Sequence, residues 1–268
     1  MNEDQIILID KPAGISSFGV VARIRSQLKQ KFGHKVKVGH TGTLDPFATG
    51  LLILLSGKMT KRSNEFLKLD KIYEATLKLG YTSTTGDPEG EITKIAFSKH
   101  GRVFSSKKQN DCGESLANEQ IQTSLVEDLS EVTTENEGAR PVTTGASDPC
   151  PKLMDVEFAL NKFIGTITQT PPKFSAIKIN GQRAYKLARQ GKDFEIPSRK
   201  VTIYSIDILD YHYPELKIRV HCSSGTYIRT LAEDIGKALG TGAYLTALRR
   251  IQIGDYNVHD ATQLETQP

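Results

Sequence analysis

The chain has 268 residues, of which 38% are hydrophobic and 25% charged, and a net charge of +4. This is enough chain to bury a core, and an ordinary charged fraction that excludes a wholly disordered protein. The longest apolar run, Leu51 to Leu55, is too short to cross a membrane, and Cys112, Cys150 and Cys222 are too few and too scattered for a disulfide framework or a CxxC site, so a reducing, cytoplasmic setting fits best.

In chain order, Gln5 to Asp10 reads as a short apolar strand closed by Lys11-Pro12-Ala13-Gly14; its acidic start is unlike a secretory signal. Ser16 or Ser17 is placed to cap a helix running to about Phe32, with Val20, Val21, Ile24 and Leu28 on one face and Arg23, Arg25 and Lys29 on the other. Gly50 to Gly57 is a buried strand or an apolar turn. Ile72 to Leu79 alternates as a half-buried strand, with Tyr73, Ala75, Leu77 and Leu79 on one side. Phe174 to Ile179 reads as a strand ended by Asn180-Gly181, and Gln182 to Gln190 as a helix closed by Gly191. Val201 to Leu209 and Leu216 to Cys222 are β-rich, and Thr226 to Leu239 is an amphipathic helix capped by Gly240. Strands that follow one another directly predict an α+β fold with a mostly antiparallel sheet.

The average charge hides a division. Residues 98–157 hold 6 Lys and Arg against 11 Asp and Glu, a net of −5, with almost no periodicity; the rest holds 29 against 20, a net of +9. The acidic stretch lacks an apolar face to offset its ordering entropy, so it reads as a flexible surface insertion or, alternatively, a small acidic subdomain. The basic remainder suits a phosphate-rich partner.

Two segments carry chemistry. The stretch Gly39-His40-Thr41-Gly42-Thr43-Leu44-Asp45-Pro46-Phe47-Ala48-Thr49-Gly50 puts one carboxylate on a Gly-rich loop stiffened by Pro46. Asp45 is either a catalytic group on that loop or the cap of a turn. The stretch Cys222-Ser223-Ser224-Gly225-Thr226-Tyr227-Ile228-Arg229 places Tyr227 and Arg229 at the start of a helix. An arginine there opposes the helix dipole and needs a carboxylate: Asp45, Glu233 or Asp234. Gly50 to Met59 lacks the spacing of a phosphate loop, and no GxGxxG, HExxH or GxSxG occurs.

Together these two segments resemble the signatures of the bacterial-type tRNA pseudouridine-55 synthase family. The resemblance extends to Lys71-Ile72-Tyr73, to Leu79-Gly80 and Asp87-Pro88-Glu89-Gly90, to Gln169-Thr170-Pro171-Pro172-Lys173-Phe174-Ser175-Ala176-Ile177-Lys178, to Gly181-Gln182-Arg183-Ala184-Tyr185 and to Leu248-Arg249-Arg250, in the family's order. It implies the pseudouridine synthase fold, a mixed sheet flanked by helices around a central RNA-binding cleft. It also implies one catalytic domain over 1–268, interrupted at about 98–157; a departure is expected at the C-terminus, where only a dozen residues follow Tyr256 and the PUA-type module of many relatives is not expected. Ser83 stands where the family more often has Thr.

The implied reaction converts uridine to pseudouridine in the T loop of tRNA by base flipping. It needs no cofactor or metal, and implies a cytoplasmic monomer working on tRNA with no membrane and no guide RNA. By resemblance Asp45 is the essential carboxylate, Arg229 its partner, and Tyr73 a ring against the uracil that takes part in the last proton transfer. His40 braces the vacated position, Tyr227 and Leu248 wall the pocket, Lys61 meets phosphate or the surroundings of Asp45, and Asp87 orients the loop near the base. Arg183, Arg189, Lys192, Arg249 and Arg250 are phosphate candidates.

Overall fold

The computed structural model describes residues 3–97, 103–105, 150–179 and 181–264. β1 (Ile6–Lys11) leads into α1 (Ser17–Phe32). Ser16 is the cap, its hydroxyl accepting from the Gly19 N–H at 3.1 Å. Val20, Val21, Ile24 and Leu28 are buried, the stripe of a helix resting on a sheet. β2 (Val38–His40), the loop 41–48 and β3 (Thr49–Ser56) follow. β3 is apolar without alternation because both its faces are covered: Leu52 and Leu54 pack with the buried side of α1, and Leu51, Ile53 and Leu55 with Phe66, Ile253 and Val258.

A 3-10 turn (Gly57–Arg62) and α2 (Ser63–Leu67) connect to β4 (Lys71–Leu79). β4 alternates as predicted, with Tyr73, Ala75, Leu77 and Leu79 buried and the residues between them half-buried. β5 (Tyr81–Ser83), β6 (Ile92–Phe97) and β7 (Val103–Ser105) form a small antiparallel sheet. The later elements are α3 (Leu153–Asn161), β8 (Gly165–Gln169), β9 (Lys178–Ile179), β10 (Gln182–Arg183), α4 (Ala184–Arg189), β11 (Arg199–His212), β12 (Glu215–Cys222), α5 (Ile228–Ala238), β13 (Ala243–Ile253), β14 (Tyr256–Asn257) and β15 (Thr262–Gln263).

Ten strands make one mixed sheet, ordered β15-β1-β3-β13-β4-β12-β11-β8, with β2 on β3 and β14 on β13. Of its pairs among the described residues, β1–β15 and β3–β13 are parallel and the others antiparallel. This is the α+β architecture the sequence predicts. α5 lays Ile228, Leu231, Ala232 and Ile235 on the buried side chains of β4, β12 and β13. Burying each of the isoleucine and leucine side chains contributes roughly 1.5–3 kcal/mol, and the alanine less. The resulting cluster fixes where α5 begins, and so where Arg229 stands.

Three expectations need correction. Only Lys178–Ile179 of the predicted strand 174–179 is extended in a sheet. The backbone before it is claimed elsewhere: the Ser175 and Ile177 carbonyls accept from the Tyr185 and Ala184 N–H groups, and that of Phe174 from a side chain described below. The helix predicted from Gln182 starts at Ala184, because Gln182 and Arg183 pair with β9. Of the acidic stretch 98–157, residues 98–102 and 106–149 lie outside the described residues. Its end is helical: α3 starts at Leu153 and buries Val156, Ala159 and Leu160.

Candidate active site

Loop 41–48 is pinned from both sides. The Ser17 hydroxyl accepts from the Leu44 N–H at 2.8 Å and donates to the Leu44 carbonyl at 2.9 Å. The Pro46 carbonyl accepts from the Gly14 N–H at 2.9 Å and from Lys11 Nζ at 3.2 Å. Asp45 sits between these anchors, and its own carbonyl accepts from the Ala48 N–H at 3.1 Å. The loop enters β3 at Gly50, whose φ is +101°; a Cβ there would stand 2.2 Å from the Arg250 carbonyl oxygen, so only glycine fits.

Arg229, the second residue of α5, reaches across to this loop. Its Nε lies 3.0 Å from Asp45 Oδ2, and its Nη1 lies 3.2 Å from Asp87 Oδ2. Nη1 also donates to the Thr85 carbonyl at 3.0 Å, and Nη2 to the Phe174 carbonyl at 2.9 Å. The arginine therefore ties together four segments. Of the candidate partners, Asp45 is its ion-pair partner, joined by Asp87; Asp234 pairs instead with Lys237 at 3.1 Å. Asp87 is itself held by Thr85 Oγ1 at 2.6 Å and the Glu89 N–H at 3.1 Å.

The side chain of Asp45 remains 33% exposed, while those of Arg229 and Asp87 are each 5% exposed. Burial pushes the Asp45 carboxyl above the usual carboxylate range; Arg229 pulls it down, Asp87 pushes it further up and Lys11 pulls it down. The carboxylate is thus partly withdrawn from water and flanked by the cations of Arg229 and Lys11.

Tyr73, on the buried side of β4, shares a core cluster with Leu44, Ala48 and Leu248. Burial raises its hydroxyl, and Arg250, hydrogen-bonded to it, partly offsets that. Leu248, on β13 opposite Ala75, is buried in that cluster. Tyr227 caps α5 and is half-buried. Its backbone is held at both ends by Gln169, at 3.1 and 3.2 Å, and the Arg199 guanidinium lies 4.7 Å from its ring centroid. His40 ends β2, five residues before Asp45; burial, then Arg250 and Arg183, lower its pKa and favour the neutral ring.

Lys61 does not join the others. It is exposed in the 3-10 turn after β3, whereas the Asp45 loop precedes β3. Eight strand residues separate the two ends by roughly 25 Å. Arg250 is not a phosphate contact either: it is 2% exposed and donates to the Leu51 carbonyl at 2.8 Å and the Gly42 carbonyl at 3.2 Å. Arg249, on the other face of β13, pairs with Asp10 at 2.8 Å.

Sequence reasoning missed Lys11 as a site residue. It is fully buried, donates to the carbonyls of Pro12, Ile15 and Pro46 at 2.8, 2.8 and 3.2 Å, and is brought down to about 8 by burial, with Asp45 acting the other way. The structural role of Arg250 has no signal in the sequence, because the alternation that would set Arg249 and Arg250 on opposite faces belongs to β13, whose register is irregular. Among the described residues no group of three or more His, Cys, Asp or Glu is arranged to hold a metal ion, and no helix is long and apolar enough to cross a membrane.

The profile of the TruB family pseudouridylate synthase N-terminal domain matches residues 29–126 and 124–228, and that of the tRNA pseudouridylate synthase B C-terminal domain matches residues 229–266. The chain belongs to the TruB family. The tRNA pseudouridine synthase B of Phocaeicola vulgatus is 40% identical over 267 residues, covering 99% of this chain and 92% of the relative. The enzyme of the same name from Dechloromonas aromatica is 41% identical over 261 residues, covering 97% and 69%. Among solved structures, a crystal structure of a Cbf5-Nop10-Gar1 complex superposes with a TM-score of 0.59 at 24% identity, over 98% of this chain and 53% of that one. An H/ACA RNP bound to a substrate RNA containing 2′-deoxyuridine gives 0.56 at 21%, over 96% and 50%. This chain spans about half the length of those two, and at such identities the likeness speaks for the TruB family fold alone.

Proposed function

We propose that this TruB family protein isomerises uridine to pseudouridine at position 55, in the T loop of tRNA, with Asp45 as the essential carboxylate. The observation that carries this reading is the placement of Asp45, on a pinned loop, 3.0 Å from a buried Arg229. The names of the relatives, tRNA pseudouridine synthase B, supply the substrate class.

The uridine must leave its stack to reach the carboxylate, at a cost of a few kcal/mol. His40, favoured in its neutral form, braces the vacated position. The N1–C1′ bond then breaks, the uracil turns, and C5 bonds to C1′; the C5 proton leaves and N1 gains one, so product and substrate are isomers. Attack by Asp45 on C1′ and removal of the C2′ proton by Asp45 both satisfy this balance, and both require the ionised form. Arg229 and Lys11 favour that form against burial and against Asp87. Tyr73 lies against the uracil, its neutral hydroxyl positioned by Arg250, and takes part in the transfer of the C5 proton. Tyr227 and Leu248 wall the pocket, and Asp87 holds Arg229 in position. In this reading residues 3–97 and 150–264 belong to one catalytic domain, and the protein is a cytoplasmic monomer that reads tRNA without a guide RNA.

The test is an unmodified tRNA transcript carrying tritium at uridine C5. Release of one tritium per tRNA, with base-specific probing that maps the product to the T loop, supports the reading. Release from another position overturns the proposed target.

A further inference from the structure

We propose that the solvent face of α1 is a second tRNA contact surface beside the catalytic loop, where Phe18 stacks on an unpaired base and Arg25 and Lys29 take neighbouring phosphates. The inference rests on the reading of tRNA as the substrate.

Three observations converge. The first is charge. From Pro12 to Leu44 the chain carries six Lys and Arg and no Asp or Glu. α1 has no acidic residue in its first turn, so no side chain there offsets the positive end of the helix dipole. Among the described residues Arg23, Arg25, Lys29 and Lys31 make no ion pair, whereas Arg62, Arg219, Arg229, Lys237 and Arg249 all do. An unneutralised basic ridge suits a phosphate backbone.

The second is an aromatic ring in water. Phe18 is 65% exposed, and the Arg25 guanidinium lies 6.0 Å from its ring centroid. Phe18, Ala22, Arg25 and Lys29 are all exposed and follow an i, i+4, i+7, i+11 spacing, which sets them in one stripe. Arg25 also donates through Nη2 to the Val38 carbonyl at 3.2 Å, which fixes its direction and leaves other N–H groups for a phosphate oxygen. An aromatic face beside cations is the arrangement by which single-stranded nucleic acid is held.

The third is position. Ser17, which clamps Leu44, precedes Phe18 directly. Adjacent Cα atoms are about 3.8 Å apart, so the exposed ring begins next to the loop that carries Asp45. Flipping a uridine toward Asp45 leaves its former neighbours unstacked, and Phe18 offers one of them a new partner.

The experiment uses the full chain and an unmodified tRNA transcript. Binding is measured over a salt series and single-turnover rates at saturating RNA, for Phe18→Ala, Phe18→Tyr and Lys29→Gln. Phe18→Ala is expected to weaken binding about tenfold, within the range of base–aromatic stacking, and to lower the saturated rate less than about twofold. Phe18→Tyr restores binding to within about twofold. Lys29→Gln reduces the slope of log affinity against log salt by about 1. Melting temperatures stay near wild type, since these side chains are exposed. Wild-type affinity and salt slope in Phe18→Ala and Lys29→Gln, with tRNA still modified by the wild type, overturn this inference alone; a defect that tyrosine does not restore also counts against it. A wild type that neither binds nor modifies tRNA overturns the substrate reading and this inference with it.

Discussion

Asp45 Oδ2 lies 3.0 Å from Arg229 Nε, while a different nitrogen of the same guanidinium, Nη1, lies 3.2 Å from Asp87 Oδ2. One buried cation thus links a loop that precedes β3, a loop that follows β5 and the start of α5. The pairing also accounts for an arginine in the first turn of a helix, where its charge opposes the dipole.

Arg229→Ala leaves Asp87, and much of Asp45, as buried charges without their partner. Such a loss typically costs about 3–5 kcal/mol, so urea unfolding should move to a clearly lower midpoint with an unchanged slope. Arg229→Lys retains the charge but has too few donors for two carboxylates and two carbonyls. It should fold better than the alanine variant and still turn over at least a hundredfold more slowly, in proportion to a lost preorganised contact.

Asp87→Asn tests the electrostatics with a defined sign. Asp87 pushes the Asp45 carboxyl up, and activity on the acid side falls as Asp45 protonates. Removing the Asp87 charge lowers the Asp45 pKa, so the acid limb of kcat/KM should move to lower pH even as the plateau falls. A limb at the wild-type pH, or above it, contradicts the assignment.

Tyr73→Phe removes a hydroxyl that is buried, raised in pKa and hydrogen-bonded to Arg250. The ring remains against the cluster of Leu44 and Leu248. tRNA affinity should therefore change little, while single-turnover conversion falls by about 10²–10⁴, the usual contribution of a positioned proton-transfer group.

Gly50→Ala tests the joint between the catalytic loop and β13. The added Cβ would meet the backbone of Arg250 at 2.2 Å, at a φ of +101°. Overpacking and backbone strain together should cost about 3 kcal/mol or more, seen as a large drop in melting temperature. A near wild-type Tm would mean that the loop can shift away from Arg250.

The parts legible in the sequence are those set by local pattern. α1 is marked by its serine cap and apolar stripe, β4 by its alternation, and β3 by its unbroken apolar run. The Asp45 loop is marked by its glycines and Pro46. β13 was hidden because register shifts between Leu245 and Ala247 and between Arg250 and Gln252 break its alternation. The strand expected over 174–179 is mostly absent because the Phe174 carbonyl serves Arg229 instead of a neighbouring strand. In the sequence Lys11 only opens the turn that closes the first strand; its three carbonyl partners include Pro46, 35 residues away, which no local pattern announces. For Lys61 the resemblance offers phosphate or the surroundings of Asp45, and the length of β3 sets it at the other end of the strand from the Asp45 loop.

In the proposed reaction the Asp45 carboxylate performs the chemistry. Its pKa is raised in the folded state, so the protonated carboxyl favours folding: that stabilising contribution is full below the unfolded pKa and is lost as pH rises through the folded one. Asp45→Asn should therefore fold at neutral pH at least as stably as the wild type. The deciding measurement is tritium release from C5-labelled tRNA transcript by Asp45→Asn under single-turnover conditions, with RNA binding measured alongside. No release over hours, at an affinity within a few-fold of wild type, is the expected result; conversion at a measurable fraction of the wild-type rate would rule Asp45 out as the essential carboxylate.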